Sequence, residues 1–176
     1  LLGWRQQDHC DSCSVIIAEE RERRETETHK KMTIETYLER SGIVRGILAR
    51  MTFETFDNSH KGKAYEIVKE YAEGFGRETT SGLMLYGKAG SGKTHLAVAI
   101  TRHIIEQKQI QVRFARVVDL LAEIRKTFNE NEQYRTENES DLISRYTSAP
   151  LLVIDDLGAE KTTDWVRQIL YQIIDE

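Results

Sequence analysis

The sequence predicts an α/β domain built on a parallel sheet flanked by helices. Three observations carry that prediction. Short apolar runs alternate with stretches whose apolar residues recur at helical spacing. The run "LLVID" (151–155) is apolar without alternation, the pattern of a central strand buried on both faces. Between Leu83 and Ala97 a glycine-rich loop joins an apolar run to a helix-like stretch.

In order along the chain, residues 1–18 hold Trp4 and the pair Cys10 and Cys13 in "CDSC". The run "EERERRETETHKK" (19–31) carries no apolar stripe and reads as a solvated helix or linker, and residues 19–50 as a charged helical linker. From about Met32 the composition becomes that of a folded domain, with its core in 51–176. Ala64, Ile67, Val68, Tyr71, Ala72 and Phe75 form one helical face. Leu83–Tyr86 is expected to be a short buried strand, and a helix follows over 93–107. "IQVRF" (110–114) reads as a second strand, and Val117, Leu120, Leu121, Ile124 and Phe128 as another amphipathic helix. "NENEQYRTENES" (129–140) is a polar surface excursion, followed by a short helix over 141–148. Pro150 precedes the 151–155 strand, and Trp165, Val166, Ile169, Leu170, Ile173 and Ile174 mark a last helical face.

The 176 residues suit one core of ordinary size. At 39% hydrophobic and 31% charged, they suit a globular domain with a well-charged surface. No apolar stretch approaches the roughly 18 residues that a membrane span needs. "LLGWRQQDHC" lacks the basic start and apolar centre of a secretion signal. A net charge of −4 gives no global attraction to nucleic acid. Two cysteines three residues apart cannot staple a fold, which favours a reducing, cytoplasmic setting. The first residue is not Met and the last ones lie inside a helical pattern, so the chain reads as a fragment truncated at its C-terminus.

"GKAGSGKT" comprises Gly87, Lys88, Ala89, Gly90, Ser91, Gly92, Lys93 and Thr94, and fits Gly, any four, Gly-Lys-Ser/Thr. Its glycines let successive backbone N–H groups converge on phosphates, and the following helix adds the positive end of its dipole. Lys93 would reach the outer phosphates as a point charge, and Thr94 would offer its hydroxyl to Mg²⁺. The loop's place between an apolar run and a helix is the context this chemistry needs, so a P-loop nucleotide-binding fold is expected.

"LLVIDDLG" supplies a second acidic site. A buried strand ending in acid puts a carboxylate at the sheet's C-terminal edge, where ligands bind in open α/β sheets. Asp155 is expected to hold Mg²⁺ and Asp156 to orient or polarise the attacking water. Asp155-Asp156-Leu157-Gly158 also fits the Asp-any-any-Gly switch of GTPases, but the Asn-Lys-any-Asp guanine reader does not occur in these 176 residues. The reader could lie on later residues, so a GTPase stays open at this point as a rival reading.

With these motifs in hand, "RSGI" (40–43), "MTFETFD" (51–57), "GLMLYGKAGSGKTHLAVAI" (82–100), "VVDLLAEIRKTF" (117–128) and "LLVIDDLGAEK" (151–161) follow one another as in the DnaC-like and DnaI-like bacterial helicase loaders. These are AAA+ ATPases related to the initiator DnaA, and the resemblance covers about residues 40–176. It implies an incomplete AAA+ core over 51–176, lacking two of five sheet strands. It also implies an ATP-binding and hydrolysing loader acting in replication initiation, with the replicative DNA helicase and single-stranded DNA as partners and self-association through the ATPase domain. Phe53 and Phe56 resemble the segment near the adenine, with core packing as the alternative. His95 matches "KTHLA" and reads as structural. The sensor Asn, arginine finger and second sensor would fall on later elements, so this fragment is expected to lack part of the site. The IstB-like ATPases that assist transposition share almost all these motifs and stay open as an alternative, as does an ATP-switched interaction module with little turnover. Arg113, Arg116 and Lys126 are candidates for DNA contact or simply a charged surface.

Cys10 and Cys13 can supply two zinc thiolates from one tight turn, whereas a closed structural site takes four ligands. The choice lies between half a zinc site, which the loader resemblance favours because some loaders carry a cysteine-rich zinc module, and two ordinary thiols.

Overall fold

The computed structural model describes residues 11–43, 46–57, 59, 62–76, 81–127 and 138–175. Trp4, Cys10, Phe128 and most of the polar excursion lie outside them, as does the side chain of Cys13.

Helix α1 (Asp11–Ser41) is one uninterrupted helix of 31 residues, about 46 Å long. Residues 15–32 are exposed throughout. Over 19–31 the helix is polar on all sides, and such a helix is held by its own local pairs, here Lys31 with Glu27 at 3.3 Å and threonine hydroxyls donated back to carbonyls four residues earlier. Packing starts with Ile34, Tyr37 and Leu38. The helix ends tightly. Ser41 Oγ donates to Leu38 O at 2.6 Å and accepts from Ile43 N at 3.3 Å. Gly42 sits at φ +92°, and a Cβ there would drive into the carbonyl oxygen of Phe114. Ile43 is fully buried.

A 3-10 turn (Gly46–Arg50) follows. Next come α2 (Lys63–Gly74), α3 (Lys93–Lys108), strand β1 (Val112–Arg116), α4 (Val117–Lys126), α5 (Glu139–Thr147), β2 (Leu151–Asp155) and α6 (Asp164–Asp175). The two strands pair in parallel, Val112 opposite Leu151 through Arg116 opposite Asp155. Helices cover both faces. Val112, Leu151 and Val153 join the core of α2 and α3, while Ala115, Leu152 and Ile154 face α4, α5 and α6. The buried set of α4 is Val117, Leu120, Leu121 and Ile124, spaced as one helical stripe. α5 begins at Glu139, two residues before the expected start, because Asn138 and Asp141 form a capping box in which Asn138 accepts from Asp141 N at 2.8 Å. No helix among the described residues is long and apolar enough to cross a membrane.

Two expectations need correction. Leu83–Tyr86 is not a strand: residues 81–87 join no ladder, Met84 and Tyr86 are 77% and 88% exposed, and only Leu83 and Leu85 turn inward. An apolar run becomes a strand only where a neighbour answers its backbone N–H and C=O groups, and among the described residues the sheet has two strands. For the same reason β2, although covered on both faces, is half-buried from Leu151 to Ile154.

His103 lies part-buried on α3, its ring 5.8 Å from that of Phe53. Burial holds its pKa below the ordinary histidine value, against the pull of Glu73. The folded state therefore favours neutral His103. That contribution is present above about pH 6.5 and lost as pH falls through the folded pKa. His103→Gln should lose less melting temperature between pH 8 and pH 5 than the unaltered chain does, and equal losses would refute this.

Candidate functional site

The loop from Gly87 to Gly92 turns through three positive φ angles, +150° at Gly87, +77° at Gly90 and +86° at Gly92. These are backbone shapes that side-chain-bearing residues rarely adopt. Lys88, Ala89, Gly90 and Ser91 stand exposed at its crest, with Ser91 N donating to Lys88 O at 3.3 Å. Gly92 caps α3 with no side-chain hydrogen bond, and the first intrahelical bond is Leu96 N to Gly92 O at 2.9 Å. The helix thus presents the N–H groups of its first turn to a ligand. Lys93 Nζ folds over the loop and donates to Gly87 O at 3.1 Å and Lys88 O at 2.9 Å. Two carbonyls hold the ammonium over the loop.

Thr94 Oγ1 donates to Asp155 Oδ1 at 3.1 Å, joining the start of α3 to the end of β2 across 61 residues. Asp155 is 9% exposed, and its Oδ2 is buried without a hydrogen-bond partner. A buried carboxylate oxygen lacking a donor is costly, and a cation beside Thr94 would relieve it. The donor set of one hydroxyl and one carboxylate suits a hard ion such as Mg²⁺. Asp156 follows, exposed, at φ +57°. A side-chain-bearing residue held in the left-handed region stores strain of about 1–3 kcal/mol, here within a turn closed by Ala159 N to Asp156 O at 3.0 Å.

The 52–56 turn packs against the loop. Phe53 is 4% exposed, its ring edge-on to Tyr65 and His103 in the core. Phe56, 5% exposed, stacks on Tyr65 and meets His95 edge-on. His95 Nε2 lies 2.8 Å from Thr52 O. Arg113, Arg116 and Lys126 do not form one patch of free cations: Arg113 Nη1 donates to Arg40 O at 2.9 Å, clamping the end of α1, and Arg116 pairs with Asp119 at 2.9 Å. Lys126 is exposed at the end of α4. Among the described residues no group of three or more His, Cys, Asp or Glu could hold a metal.

The profile of the family described as "IstB-like ATP binding protein" matches residues 8–176. The chain belongs to the IstB-like ATP-binding family. Among relatives of this IstB-like chain is the replicative helicase loader DnaC of Buchnera aphidicola subsp. Baizongia pistaciae, 31% identical over 99% of the chain and 66% of that protein. The DnaC of Escherichia coli K12 is 27% identical over the same shares, and the uncharacterized protein YdaV of the same strain is 23% identical over 84% of the chain and 57% of its own length. The IstB-like chain thus spans just under two thirds of the length of its DnaC relatives.

Proposed function

We propose that this chain is the nucleotide-binding part of an ATPase that loads the replicative DNA helicase. The observation that carries the nucleotide reading is the Thr94–Asp155 bond beside a glycine loop, with Asp155 Oδ2 left open for a cation. The loader reading draws on the DnaC relatives that match 99% of the chain.

In this reading Gly87 to Thr94 hold the phosphates of ATP, and Thr94 with Asp155 hold Mg²⁺. The bound ion neutralises phosphate charge. Lys93 exchanges its two loop carbonyls for phosphate oxygens. Asp156 accepts a hydrogen bond from the attacking water and aims it. The DNA helicase and single-stranded DNA are the partners, and self-association of the ATPase domain completes the site with a basic residue from a neighbour. Nucleotide state would switch the grip on both partners. Cys10 and Cys13 would contribute half of a zinc site.

The function is tested with the whole protein, the host's replicative helicase and ATP in native mass spectrometry. A defined complex that weakens in Lys93→Ala supports the loader; intact ATP binding without a complex refutes it. A transposition helper, the role implied by the resemblance to the IstB-like ATPases, would then be the reading to pursue.

The acidic pair can be separated. Asp155→Asn should remove the gain in nucleotide affinity that Mg²⁺ brings over EDTA. Asp156→Asn, since Asn tolerates the left-handed region, should keep affinity within about 3-fold while turnover falls about 100-fold, of the order seen for a lost proton-transfer group. Unchanged turnover would assign Asp156 to the turn alone.

A further inference from the structure

We propose that Phe56 and His95 are positioning residues that brace the phosphate loop from the 52–56 turn. The inference rests on the nucleotide reading above and adds two residues whose part in it is to aim Lys93 and Thr94.

The turn touches the loop at two points, one on each side of that pair. On the N-terminal side, a Cβ placed on Gly92 would lie 2.6 Å from Phe56 Cε2 and 3.0 Å from Cζ. The ring therefore occupies the space that any larger residue at position 92 would need. Its back is fixed by Tyr65, stacked at 5.5 Å and 27°, whose hydroxyl donates to Phe53 O at 3.2 Å. On the C-terminal side, His95 lies 2.8 Å from Thr52 O through Nε2 and 3.3 Å from Thr55 Oγ1. As the carbonyl can only accept, Nε2 carries the proton.

The turn is itself rigid. Thr52 N donates to Thr55 Oγ1 at 2.9 Å, Thr55 N donates to Thr52 Oγ1 at 3.2 Å, and Thr55 Oγ1 donates to Arg50 O at 2.9 Å. The Phe56 and His95 rings meet edge-on at 5.2 Å and 89°, so the two contacts form one unit. Lys93 and Thr94 are the two residues between the braced positions. Position errors of well under 1 Å weaken charge-assisted contacts and metal coordination, so a braced helix start is what phosphate and Mg²⁺ binding need. Phe53, three residues away and equally buried, turns its ring to Tyr65 and His103 instead.

The test uses the whole protein, a fluorescent ATP analogue with Mg²⁺, and thermal melting in parallel. His95→Ala should raise the Kd about 10-fold, and His95→Gln, which keeps an N–H donor at similar reach, should restore it to within about 3-fold. Phe56→Leu, chosen over Phe56→Ala to keep the core filled, should also raise the Kd about 10-fold. Phe53→Leu should lower the melting temperature with the Kd unchanged. A merely structural role predicts that all four variants change melting alone, and that result would overturn the proposal while leaving the nucleotide reading intact. Absence of binding by the unaltered protein would overturn both.

Discussion

Lys93→Ala should abolish the rise in melting temperature that ATP and Mg²⁺ bring to the unaltered chain. At a ligand concentration 100 times Kd, binding stabilises the folded state by about 2.7 kcal/mol, which for a domain of this size is a shift of about 5–10 °C. Among the described residues the lysine is the side chain that reaches over the loop crest to Gly87 O and Lys88 O. In the proposed site its removal would take away a charge-assisted contact to phosphate, and a 100-fold loss of affinity corresponds to about 2.7 kcal/mol. Without ligand the variant should melt within a few degrees of the original, because the bonds it loses are solvent-exposed. Differential scanning fluorimetry with and without nucleotide reads both quantities. A retained shift would show that the loop does not hold the phosphates.

The second large effect concerns folding. Gly42→Ala should lower stability by about 4 kcal/mol, combining left-handed strain with overpacking. The residue at 42 needs φ +92°, and the new methyl would enter the carbonyl oxygen of Phe114 in β1. Neither conflict has a soft side: the backbone of β1 is fixed by its ladder with β2, and α1 is fixed by Ser41 and by Arg113 on Arg40 O. The expected fall in melting temperature is about 8–16 °C. Gly74→Ala is the companion measurement, since that glycine ends α2 with open space around its Cα. It should be neutral or stabilising by up to about 1 kcal/mol. Similar effects at both positions would mean that helix propensity, rather than the wedge against β1, governs Gly42.

What could be read from the chain was mostly local. The face of α4 was legible because one stripe of apolar residues decides it, and that of α6 nearly so, with Ile174 alone of the expected set exposed; the face of α2 was read only in part, since Val68, Ala72 and Phe75 are buried but Ala64 and Ile67 are exposed and Tyr65 is buried in their place. The glycine loop was legible because its backbone shape requires glycine at Gly87, Gly90 and Gly92. Leu83–Tyr86 was misread for the opposite reason: a strand is a property of a pair, and no composition within four residues reveals whether a neighbour is present. The length of α1 was hidden because a charge run without a stripe gives no period to detect. The brace on the loop was hidden too. "MTFETFD" signals two aromatics, but which of them meets Gly92 depends on a contact across 36 residues, and only the coordinates separate Phe56 from Phe53. The Asn138–Asp141 capping box was available in the text of the sequence and would have started α5 at Glu139, two residues before the expected 141.

The long helix α1 has a mechanical consequence. It is clamped at its C-terminal end and runs without a break through the exposed residues 15–32. Each residue turns the helix by about 100° and advances it 1.5 Å. Adding one residue between 19 and 31 would therefore swing the N-terminal end of the helix a quarter-turn or more around its axis, whereas adding seven would return it to within about 20° and merely move it about 10 Å outward. Residues mounted at that end are held at a compass bearing as well as at a distance, and the exposed run of charges acts as a crankshaft.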